Sequence, residues 1–500
     1  MRLPERKLLA QSRRGIEKES LRVLPDGALS ARPHPPALGS ALTHPHITTD
    51  FSESQLELIT AAHGSVAACL AELTDINQVV YQEIGGELLW CCSMPCGLPA
   101  DDAIPIGRYG SSNVGRAKTV YRMGLSHRYG RRMQMISGIH YNFSLPETST
   151  EGYFSLIRNF RRISWLPLYL FGASPAVCPS FIEGRDHQLV PLAPGTLYLP
   201  HATSLRMGRL GYQSDAQSAL AVSYNSLESY AASLDDALTK PYPPYEKIGI
   251  RNGDEYRQLA TSLLQIENEF YGTIRPKRRI GPGERPLHAL RERGVEYVEV
   301  RLMDLDPFAE VGIAAPTMRV LDLLLVACLA RESPPDTPQE IAAVRRNLHS
   351  VAARGREPGL KLDQYGKQVL VSEWGAEILA GCEPAAEAMD AIHGGAAYRD
   401  ALAGARSAIA DAASVPSARM LQAMAREHDD TYTRFALAQS LAHAGALRAL
   451  PLAADVARRF EAMAAQSLDA QRRIEQADTL DFETYRRKYL SHDMLVVRNG

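Results

Sequence analysis

Closely spaced acidic residues occur in segments that alternate like β-strands. In GIEKESLRV, Glu17 and Glu19 are two positions apart, so on a strand their carboxylates point the same way. In GVEYVEVRL, Tyr297, Glu299 and Arg301 share one face of the predicted strand. Like charges this close repel each other unless a cation lies between them. These segments are therefore either solvated edge strands with mixed charge or parts of a metal site.

Three further segments add polar side chains to the same pattern. GIHYNFSL places His140, Asn142 and Ser144 opposite an apolar face. TTDFSESQLELIT adds Asp50 and Glu57 from a segment expected to enter a helix, with Asp50 as a turn residue or helix N-cap in the alternative interpretation. LLQIENEFY is predicted to be a strand on which these residues share a face: Gln265, Glu267, Glu269 and Tyr271.

The repeated polar face predicts a sheet whose inner surface is a metal-dependent site. Mg²⁺ prefers several oxygen ligands, and MgATP needs them arranged around its phosphates. No P-loop, GxGxxG, GxSxG or HExxH motif occurs in the chain. If the protein handles phosphate, it therefore uses metal and arginine in place of a glycine-rich loop.

Two groups of basic residues supply the opposite charge. Their alternative roles are a solvated surface or an RNA contact, but the formal net charge is -2 and no arrangement of stacking aromatics is evident. Arginine beside a cluster of acids favours stabilisation of a transferring phosphoryl group. The two groups are Arg108, Arg116, Lys118, Arg122, Arg128, Arg131 and Arg132, then Arg275, Lys277, Arg278 and Arg279.

Composition is that of an ordinary globular protein, with 45% hydrophobic residues among 500. The seven cysteines lack zinc-site spacing, which favours free thiols in a reducing cytoplasm. The N-terminus has no apolar stretch typical of a secretory signal. The apolar run from Val320 to Ala330 contains Asp322 and is too short to span a bilayer, so a buried helix is predicted. We therefore expect a cytoplasmic location, with neither a membrane nor a nucleic acid as partner.

Patterning changes along the chain without a linker between its parts. Strand-like alternation mixes with helical segments such as Val66–Ile84 up to about residue 310, and alanine-rich amphipathic helices dominate from about 311 to 500. No Ser/Gly-rich or low-complexity tract separates the two parts. The prediction is an α+β protein in which residues 1–500 form a single catalytic unit, with a sheet-based core at about 15–310 and a helical part packed on it.

The sequence resembles the proteobacterial type of the glutamate–cysteine ligase family, which catalyses the first step of glutathione synthesis. The segments that carry the resemblance run in order from Gly15 to Phe308 and include GIEKESLRV, ALTHPHITTDFSESQLELIT, YGSSNVGRAKTVYR, RYGRRMQMISGIHYNFSLP, YLPHATSLRMGRLGY, LQIENEFYGTIRPKR and GVEYVEVRLMDLDPF. The resemblance implies a glutamine-synthetase-like fold, a curved and mainly antiparallel sheet that forms a funnel. It also implies that ATP phosphorylates the γ-carboxylate of glutamate and that the amine of cysteine attacks the acyl phosphate.

Roles for individual residues follow from the resemblance alone. It implies a site for Mg²⁺, or Mn²⁺, formed by Glu17, Glu19, Asp50, Glu57, His140 and Glu299. It places Arg301 and Arg122 near the transferred phosphate, and Gln134 and Asn142 against glutamate. The cysteine pocket is expected to contain Tyr121, Arg206, Tyr212 and Tyr271. Glutathione is expected to act as a feedback inhibitor.

Two other functions remain open at this point. A sister carboxylate–amine ligase with a different acid or amine would keep every metal-site residue. A non-catalytic regulatory relative would be expected to lose one or more of the acids, whereas all five acids and the histidine are present. The sequence therefore favours an enzyme over a regulatory protein.

Overall fold

The computed structural model describes residues 3–211, 215–218, 220–281 and 283–496. In this part of the chain the strands are β1 (Arg13–Val23), β2 (Ile47–Thr49), β3 (Gln55–Ile59), β4 (Leu88–Leu89), β5 (Ile139–Ser144), β6 (Ala176–Val177), β7 (Val190–Ala193), β8 (Thr196–Tyr198), β9 (Arg251–Asn252), β10 (Glu255–Tyr256), β11 (Ile274–Lys277), β12 (Tyr297–Met303), β13 (Lys361–Gln364) and β14 (Lys367–Leu370).

The helices in the same residues are α1 (Arg6–Leu9), α2 (Val66–Glu83), α3 (Asn113–Tyr129), α4 (Thr150–Ile163), α5 (Trp165–Phe171), α6 (Pro179–Ile182), α7 (Asp215–Ser218), α8 (Leu227–Thr239), α9 (Pro243–Glu246), α10 (Pro286–Arg293), α11 (Ala315–Leu329), α12 (Pro338–Arg354), α13 (Val371–Ala380), α14 (Glu383–His393), α15 (Ala397–Ala410), α16 (Pro416–Glu427), α17 (Tyr432–Ala449), α18 (Ala454–Ala477) and α19 (Phe482–Leu490). Short 3-10 turns include Arg132–Met135 and Glu267–Glu269.

An antiparallel sheet occupies the centre of the molecule. Its strand order is β11-β12-β5-β1-β3-β2, and β4 pairs with the end of β1. Every neighbouring pair along this order is antiparallel. The alternating segments GIEKESLRV, GIHYNFSL and GVEYVEVRL form β1, β5 and β12, which confirms the three strands predicted from their period-two pattern.

One face of this sheet is apolar and covered by helices. Tyr141 on β5 and Val298 and Val300 on β12 are fully buried. Helices α4 and α5 pack against β12, and α11 packs against α4 and α15. Helix α11 is buried along most of its length, which confirms the buried helix predicted around Val320. Among the described residues, no helix is both long enough and apolar enough to cross a membrane.

The chain from α12 onward is mainly helical, as its alanine-rich amphipathic pattern predicts. Amphipathic helices pack by burying one apolar face, and here that face includes Phe435 on α17 and Phe460 on α18. Both side chains belong to the same hydrophobic cluster as Ile16 of β1 and Val300 of β12. The helical part therefore shares its core with the sheet.

The strand predicted for LLQIENEFY is wrong. Glu267–Glu269 is a 3-10 turn, so the four polar residues of this segment do not line one face. Each acid instead pairs with a distant arginine: Glu267 Oε2 is 2.7 Å from Arg285 Nη2, and Glu269 Oε1 is 2.8 Å from Arg128 Nη1. Because buried carboxylates need such partners, these ion pairs override the local period-two pattern.

The prediction that all seven cysteines are free is wrong for one pair. Cys96 and Cys178 form a disulfide whose Cα atoms are 5.4 Å apart, within the normal range for such a bond. They are 82 positions apart in the sequence, so spacing alone gives no signal for their contact. The other five cysteines are free and buried.

Candidate active site

The residues expected to bind metal lie together on the polar face of the central sheet. Glu17 on β1 is opposite His140 on β5, and Glu19 is opposite Glu57 on β3. Glu299 lies on β12, the neighbour of β5 on its other side. Directly opposed residues of antiparallel strands point to the same face. Four strands that are distant in sequence therefore converge on one group of carboxylates.

Histidine 140 lies in the middle of this group. Its Nδ1 atom is 3.0 Å from Glu17 Oε2 and 4.0 Å from Glu299 Oε1, and its Nε2 atom is 3.7 Å from Glu19 Oε1. Asn142 Nδ2 donates to Glu17 Oε1 at 2.9 Å. One ligand atom each from Glu17, His140 and Glu299 lies within 4.8 Å of the other two, a separation that one metal ion can bridge.

Asp50 and Glu57 come from a hairpin, and the prediction that their segment enters a helix is wrong. QLELI alternates and forms β3, while Asp50 lies in the turn after β2, where its N–H donates to the carbonyl of Gln55 at 3.0 Å. Asp50 therefore does not cap a helix. The turn nevertheless brings Asp50 close enough to Glu19 and Glu57 to influence the ionisation of both.

Repulsion between carboxylates dominates the side of the site formed by Glu19, Asp50 and Glu57. Burial and the negative charges of Glu17, Asp50 and Glu19 raise the pKa of Glu57 well above its usual value. Burial and the charge of Asp50 raise the pKa of Glu19 to about 8, although Glu19 also accepts a hydrogen bond from the Gly138 N–H at 2.8 Å. These acids are therefore arranged to hold either protons or cations.

On the other side of the site, basic residues favour the ionised form of Glu299. Arg301 Nη1 is 3.1 Å from Glu299 Oε2, and Lys277 Nζ is 3.0 Å from Glu299 Oε1. Burial alone would raise the pKa of Glu299, but the charges of Lys277 and Arg301 hold it well below its usual value. Burial and the charge of Arg301 lower the pKa of His140, which favours the neutral imidazole that ligates metals.

Lys277 is a site residue that sequence reasoning did not assign. It was one of several basic residues after QIENEFY, with nothing to separate it from its neighbours. Its place on β11, next to β12, brings its ammonium group to Glu299, whereas Arg275 donates to the carbonyls of Asn268 and Phe270. The available signal was alternation in IRPK, which places Arg275 and Lys277 on the same face as each other.

Most of the other basic residues hold structure together away from the carboxylates. Arg128 binds Glu269 and the Gln258 side chain, and Arg131 donates to the carbonyls of Asp102 and Ile104. These two arginines therefore make structural contacts. Buried carbonyls and acids need donors, and arginine supplies up to five of them.

Arg122 approaches the site from helix α3. Its Nε donates to the Asp50 carbonyl and its Nη2 to the Thr49 carbonyl at 3.4 Å. The guanidinium lies over the Tyr109 ring, 4.4 Å from its centroid. Arg122 is thus held at the turn that carries Asp50, beside the carboxylates but without a direct ion pair to them among the described residues.

The residues expected to bind the amino acids come from several separate segments: Tyr121 from α3, Gln134 from the 3-10 turn Arg132–Met135, Asn142 from β5, and Arg206 and Tyr271 from segments outside the helices and strands. Gln134 Nε2 is 3.5 Å from the Tyr271 hydroxyl, and the Tyr121 carbonyl accepts from the Gln265 amide at 3.2 Å. Arg206 is fully buried, with Nη2 donating to the Arg301 carbonyl at 3.0 Å and Nη1 3.9 Å from Asp304 Oδ1. Tyr212, predicted for the cysteine pocket, lies outside the described residues.

Comparison with known proteins decides the family. The family model described as glutamate-cysteine ligase matches residues 2–351. This chain belongs to the glutamate–cysteine ligase family. The predicted family is thereby confirmed, and with it the prediction that the chain is an enzyme of the ligase class.

Known glutamate–cysteine ligases match this chain over nearly its full length. The chain is 48% identical to a glutamate–cysteine ligase of Pseudomonas entomophila over 496 residues, which covers 96% of this chain and 93% of that protein. It is 47% identical over 508 residues to one from Alcanivorax borkumensis, covering 97% and 96%. These glutamate–cysteine ligases therefore share both the sheet-based part and the helical C-terminal part.

A solved structure confirms the fold of this ligase. The crystal structure of glutamate–cysteine ligase from Francisella tularensis, in complex with AMP, is similar with a TM-score of 0.91 and 36% sequence identity. The match covers 96% of this chain and 97% of that one. The predicted α+β class, with an antiparallel sheet and a helical C-terminal part, is confirmed.

Proposed function

We propose that this ligase joins the γ-carboxylate of glutamate to the amine of cysteine at the expense of ATP, forming γ-glutamylcysteine, ADP and phosphate. The observation that carries the proposal is the group formed by Glu17, His140 and Glu299, with Arg301 and Lys277 beside it. A carboxylate is a poor acyl donor because its leaving group would be oxide. Phosphorylation converts that oxygen into a good leaving group, and the site has the charges that phosphoryl transfer needs.

The donor set fits divalent cations. Two buried and three partly buried carboxylates are gathered on one face, which is unfavourable unless cations offset the repulsion that raises the pKa of Glu57 and of Glu19. When bound, Mg²⁺ would neutralise phosphate oxygens and orient ATP. His140 is the exception in this donor set, because Mg²⁺ prefers oxygen ligands, and Mn²⁺ is the alternative cation. The residues proposed to hold the cations are Glu17, His140 and Glu299 on one side and Glu19, Asp50 and Glu57 on the other.

Arg301, Lys277 and Arg122 are proposed to bind the phosphates. In the first step a γ-carboxylate oxygen of glutamate attacks the γ-phosphorus of ATP, the bond to ADP breaks, and γ-glutamyl phosphate forms. Arg301 presents a planar donor fork to the equatorial oxygens that gain charge. A cavity of about 170 Å³ beside Lys277, lined by Arg275, Tyr297, Ile280 and Leu290 among others, is proposed to receive the nucleoside.

Asn142 and Gln134 are proposed to orient glutamate. Asn142 donates to Glu17, while its side-chain oxygen is buried and has no hydrogen-bond partner among the described residues. That oxygen is suited to accept a hydrogen bond from the glutamate ammonium group, since a buried acceptor is costly to leave unpaired. Gln134 is buried, and its Nε2 atom lies 3.5 Å from the hydroxyl of Tyr271, a residue proposed for the acceptor pocket.

The acceptor pocket is proposed to contain Tyr121, Arg206, Tyr212 and Tyr271. In the second step the neutral amine of cysteine attacks the acyl carbon, the carbon–oxygen bond breaks, phosphate leaves, and the amine loses a proton. The thiolate is the stronger rival nucleophile. The pocket therefore has to aim the amine at the acyl carbon and hold the sulfur away from it.

We expect Arg301→Lys to lower kcat more than it raises the KM for ATP. Lysine keeps the charge but loses the planar fork, so an interaction made mainly in the transition state is lost even at saturating ATP. Steady-state kinetics with ATP varied at saturating amino acids measures both constants. A change confined to the KM for ATP would reassign Arg301 to ground-state nucleotide binding.

We expect Arg206→Ala to raise the KM for cysteine far more than the KM for ATP. Arg206 also holds the Arg301 carbonyl, so a modest fall in kcat is expected with it. Varying cysteine and ATP separately measures the two effects. Equal changes in both KM values would show that Arg206 does not bind the acceptor.

Omission of each amino acid in turn tests the proposed reaction as a whole. ADP release by the purified enzyme with Mg²⁺ should require both glutamate and cysteine, and mass spectrometry should identify γ-glutamylcysteine. A sister ligase would form a product only with another acid or amine, and the proposed substrates would then be wrong. 2-Aminobutyrate, which replaces the thiol by a methyl, is expected to be a weaker acceptor.

Three further properties of this enzyme are proposed: that residues 1–500 form a single catalytic unit, that glutathione inhibits it by feedback, and that it is cytoplasmic. A single catalytic unit over residues 1–500 agrees with the core shared between Ile16, Val300 and Phe435. Feedback inhibition by glutathione can be measured as competition with glutamate. A cytoplasmic location can be measured by cell fractionation.

A further inference from the structure

Helix α3 carries two of the proposed site residues, Tyr121 and Arg122. One helical turn before Tyr121 and on the same face of α3, Ala117 forms a small cluster, separate from the main hydrophobic core, with Leu259 and with Phe482 of the C-terminal helix α19. The partly buried residues packed on this cluster are Val120, Tyr121, Tyr256, Ile266, Tyr485 and Leu490. The position of α3 therefore depends on a helix that lies some 360 residues further along the chain.

Polar contacts attach the beginning of α3 to the same C-terminal segment. The Asn113 N–H donates to the Asp478 carboxylate, and Asn113 Nδ2 donates to the Leu480 carbonyl at 2.8 Å. The Arg116 guanidinium lies over the Phe482 ring, 4.4 Å from its centroid. Phe482 is only 4% exposed, but Arg116 is exposed, so this cation–π contact adds a modest attraction of about 0.5–1 kcal/mol.

The C-terminal end of α19 holds the turn that leads to Tyr271. Arg285, which binds Glu267 of that turn, donates to the Tyr489 carbonyl at 2.9 Å and lies over the Tyr489 ring. Arg486 donates to the Leu259 carbonyl at 2.6 Å. Helix α19 thus joins the two segments that carry Tyr121 and Tyr271.

We propose that helix α19 is a positioning element for the acceptor side of the active site, acting through Phe482 on α3 and on the 259–271 segment. The proposal rests on the proposed function, since it assigns Tyr121 and Tyr271 to cysteine. The family model ends at residue 351, so this element lies outside the region by which the family is recognised. Because misplacement of binding groups by about 1 Å can cost up to roughly 100-fold, a remote packing contact of this kind can control acceptor binding.

Replacement of Phe482 by alanine in the full-length enzyme tests the proposal. We expect the KM for cysteine to rise roughly tenfold, with a smaller change in the KM for ATP, because α3 shifts at Tyr121. Phe482→Leu keeps apolar volume and should restore most of the affinity for cysteine. This rescue, together with the difference between the two KM values, would not be expected from a general loss of stability.

Two matched variants serve as controls. Phe435→Ala removes a phenylalanine of similar burial from α17, which packs against Phe308, and should leave the KM for cysteine near the wild-type value. Lys488→Ala changes an exposed residue of α19 itself and should do the same. If Phe482→Ala does not fold, Phe482→Val, which removes more of the side chain than leucine does, replaces it, and amide hydrogen exchange of residues 113–122 in Phe482→Val should be faster than in Phe435→Ala.

Failure of this proposal differs from failure of the proposed function. If wild-type enzyme makes no γ-glutamylcysteine, the proposed function is wrong. If it does, but Phe482→Ala raises the KM for cysteine no more than Phe435→Ala or no more than its own KM for ATP, α19 does not position the acceptor side. Exchange of residues 113–122 that is no faster in Phe482→Val than in Phe435→Ala would also contradict the proposal.

Discussion

Glu17→Gln is expected to reduce turnover and metal affinity together, each by at least roughly 10–100-fold. Glu17 lies between His140 and Asn142, and it faces Glu299 across the site. Glutamine preserves the shape but removes one negative charge from the proposed cation site. Titration of the substrate-free enzyme with Mn²⁺, followed by electron paramagnetic resonance, measures binding independently of catalysis. Steady-state rates at limiting and saturating Mg²⁺ measure the catalytic effect.

Glu296→Gln is the matched control for this experiment. Glu296 immediately precedes β12, and its carboxylate pairs with Arg279, 2.7 Å away at Nη2, rather than with the site residues. The same chemical change there should leave Mn²⁺ affinity and turnover close to those of wild type. If Glu17→Gln keeps wild-type turnover at limiting Mg²⁺, the assignment of the carboxylate group as the metal site is wrong.

Asp322→Ala is expected to lower the free energy of unfolding by about 3–5 kcal/mol, because it leaves a buried arginine without its partner charge. Asp322 Oδ2 is 3.1 Å from Arg14 Nη2, and neither side chain is exposed. The hydroxyls of Tyr141 and Tyr398 also donate to Asp322, at 2.7 and 3.0 Å. One carboxylate thus joins α11 to β1, β5 and α15. Denaturant unfolding followed by circular dichroism measures the change.

A double variant separates the missing partner from the missing packing. Arg14→Met with Asp322→Leu removes both charges and keeps apolar volume, so it should regain much of the stability lost in Asp322→Ala. Asp429→Ala, at an exposed ion pair with Arg434, should change stability little. A loss in Asp322→Ala no larger than that in Asp429→Ala would show that the buried network does not stabilise the fold.

Strands whose two faces differ in polarity were predictable from sequence. The alternation in β5 and β12 places His140 and Glu299 on one face and Tyr141 and Val300 on the other, as the structure shows. Burial of one face enforces the period of two, since a slip of one residue would bury the polar set. The face of the sheet that carries the site could therefore be predicted from the sequence.

Features determined by distant partners were not predictable. The acids Glu267 and Glu269 look like a polar strand face, yet each is fixed by an arginine elsewhere in the chain, Arg285 or Arg128. In the sequence, Asp322 is only an interruption of an apolar run, because the three side chains that bind its carboxylate lie on other elements. These contacts depend on tertiary structure, and no spacing within a single segment encodes them.

Isotope transfer from glutamate to phosphate tests the central claim most directly. With glutamate labelled by ¹⁸O in both γ-carboxylate oxygens, formation of γ-glutamyl phosphate followed by attack of the cysteine amine moves one labelled oxygen to phosphate. Mass spectrometry of the phosphate released by the wild-type enzyme with ATP, Mg²⁺ and cysteine should therefore show one ¹⁸O atom per turnover, with the second retained in γ-glutamylcysteine. Phosphate that carries no label would contradict activation of the γ-carboxylate at this site.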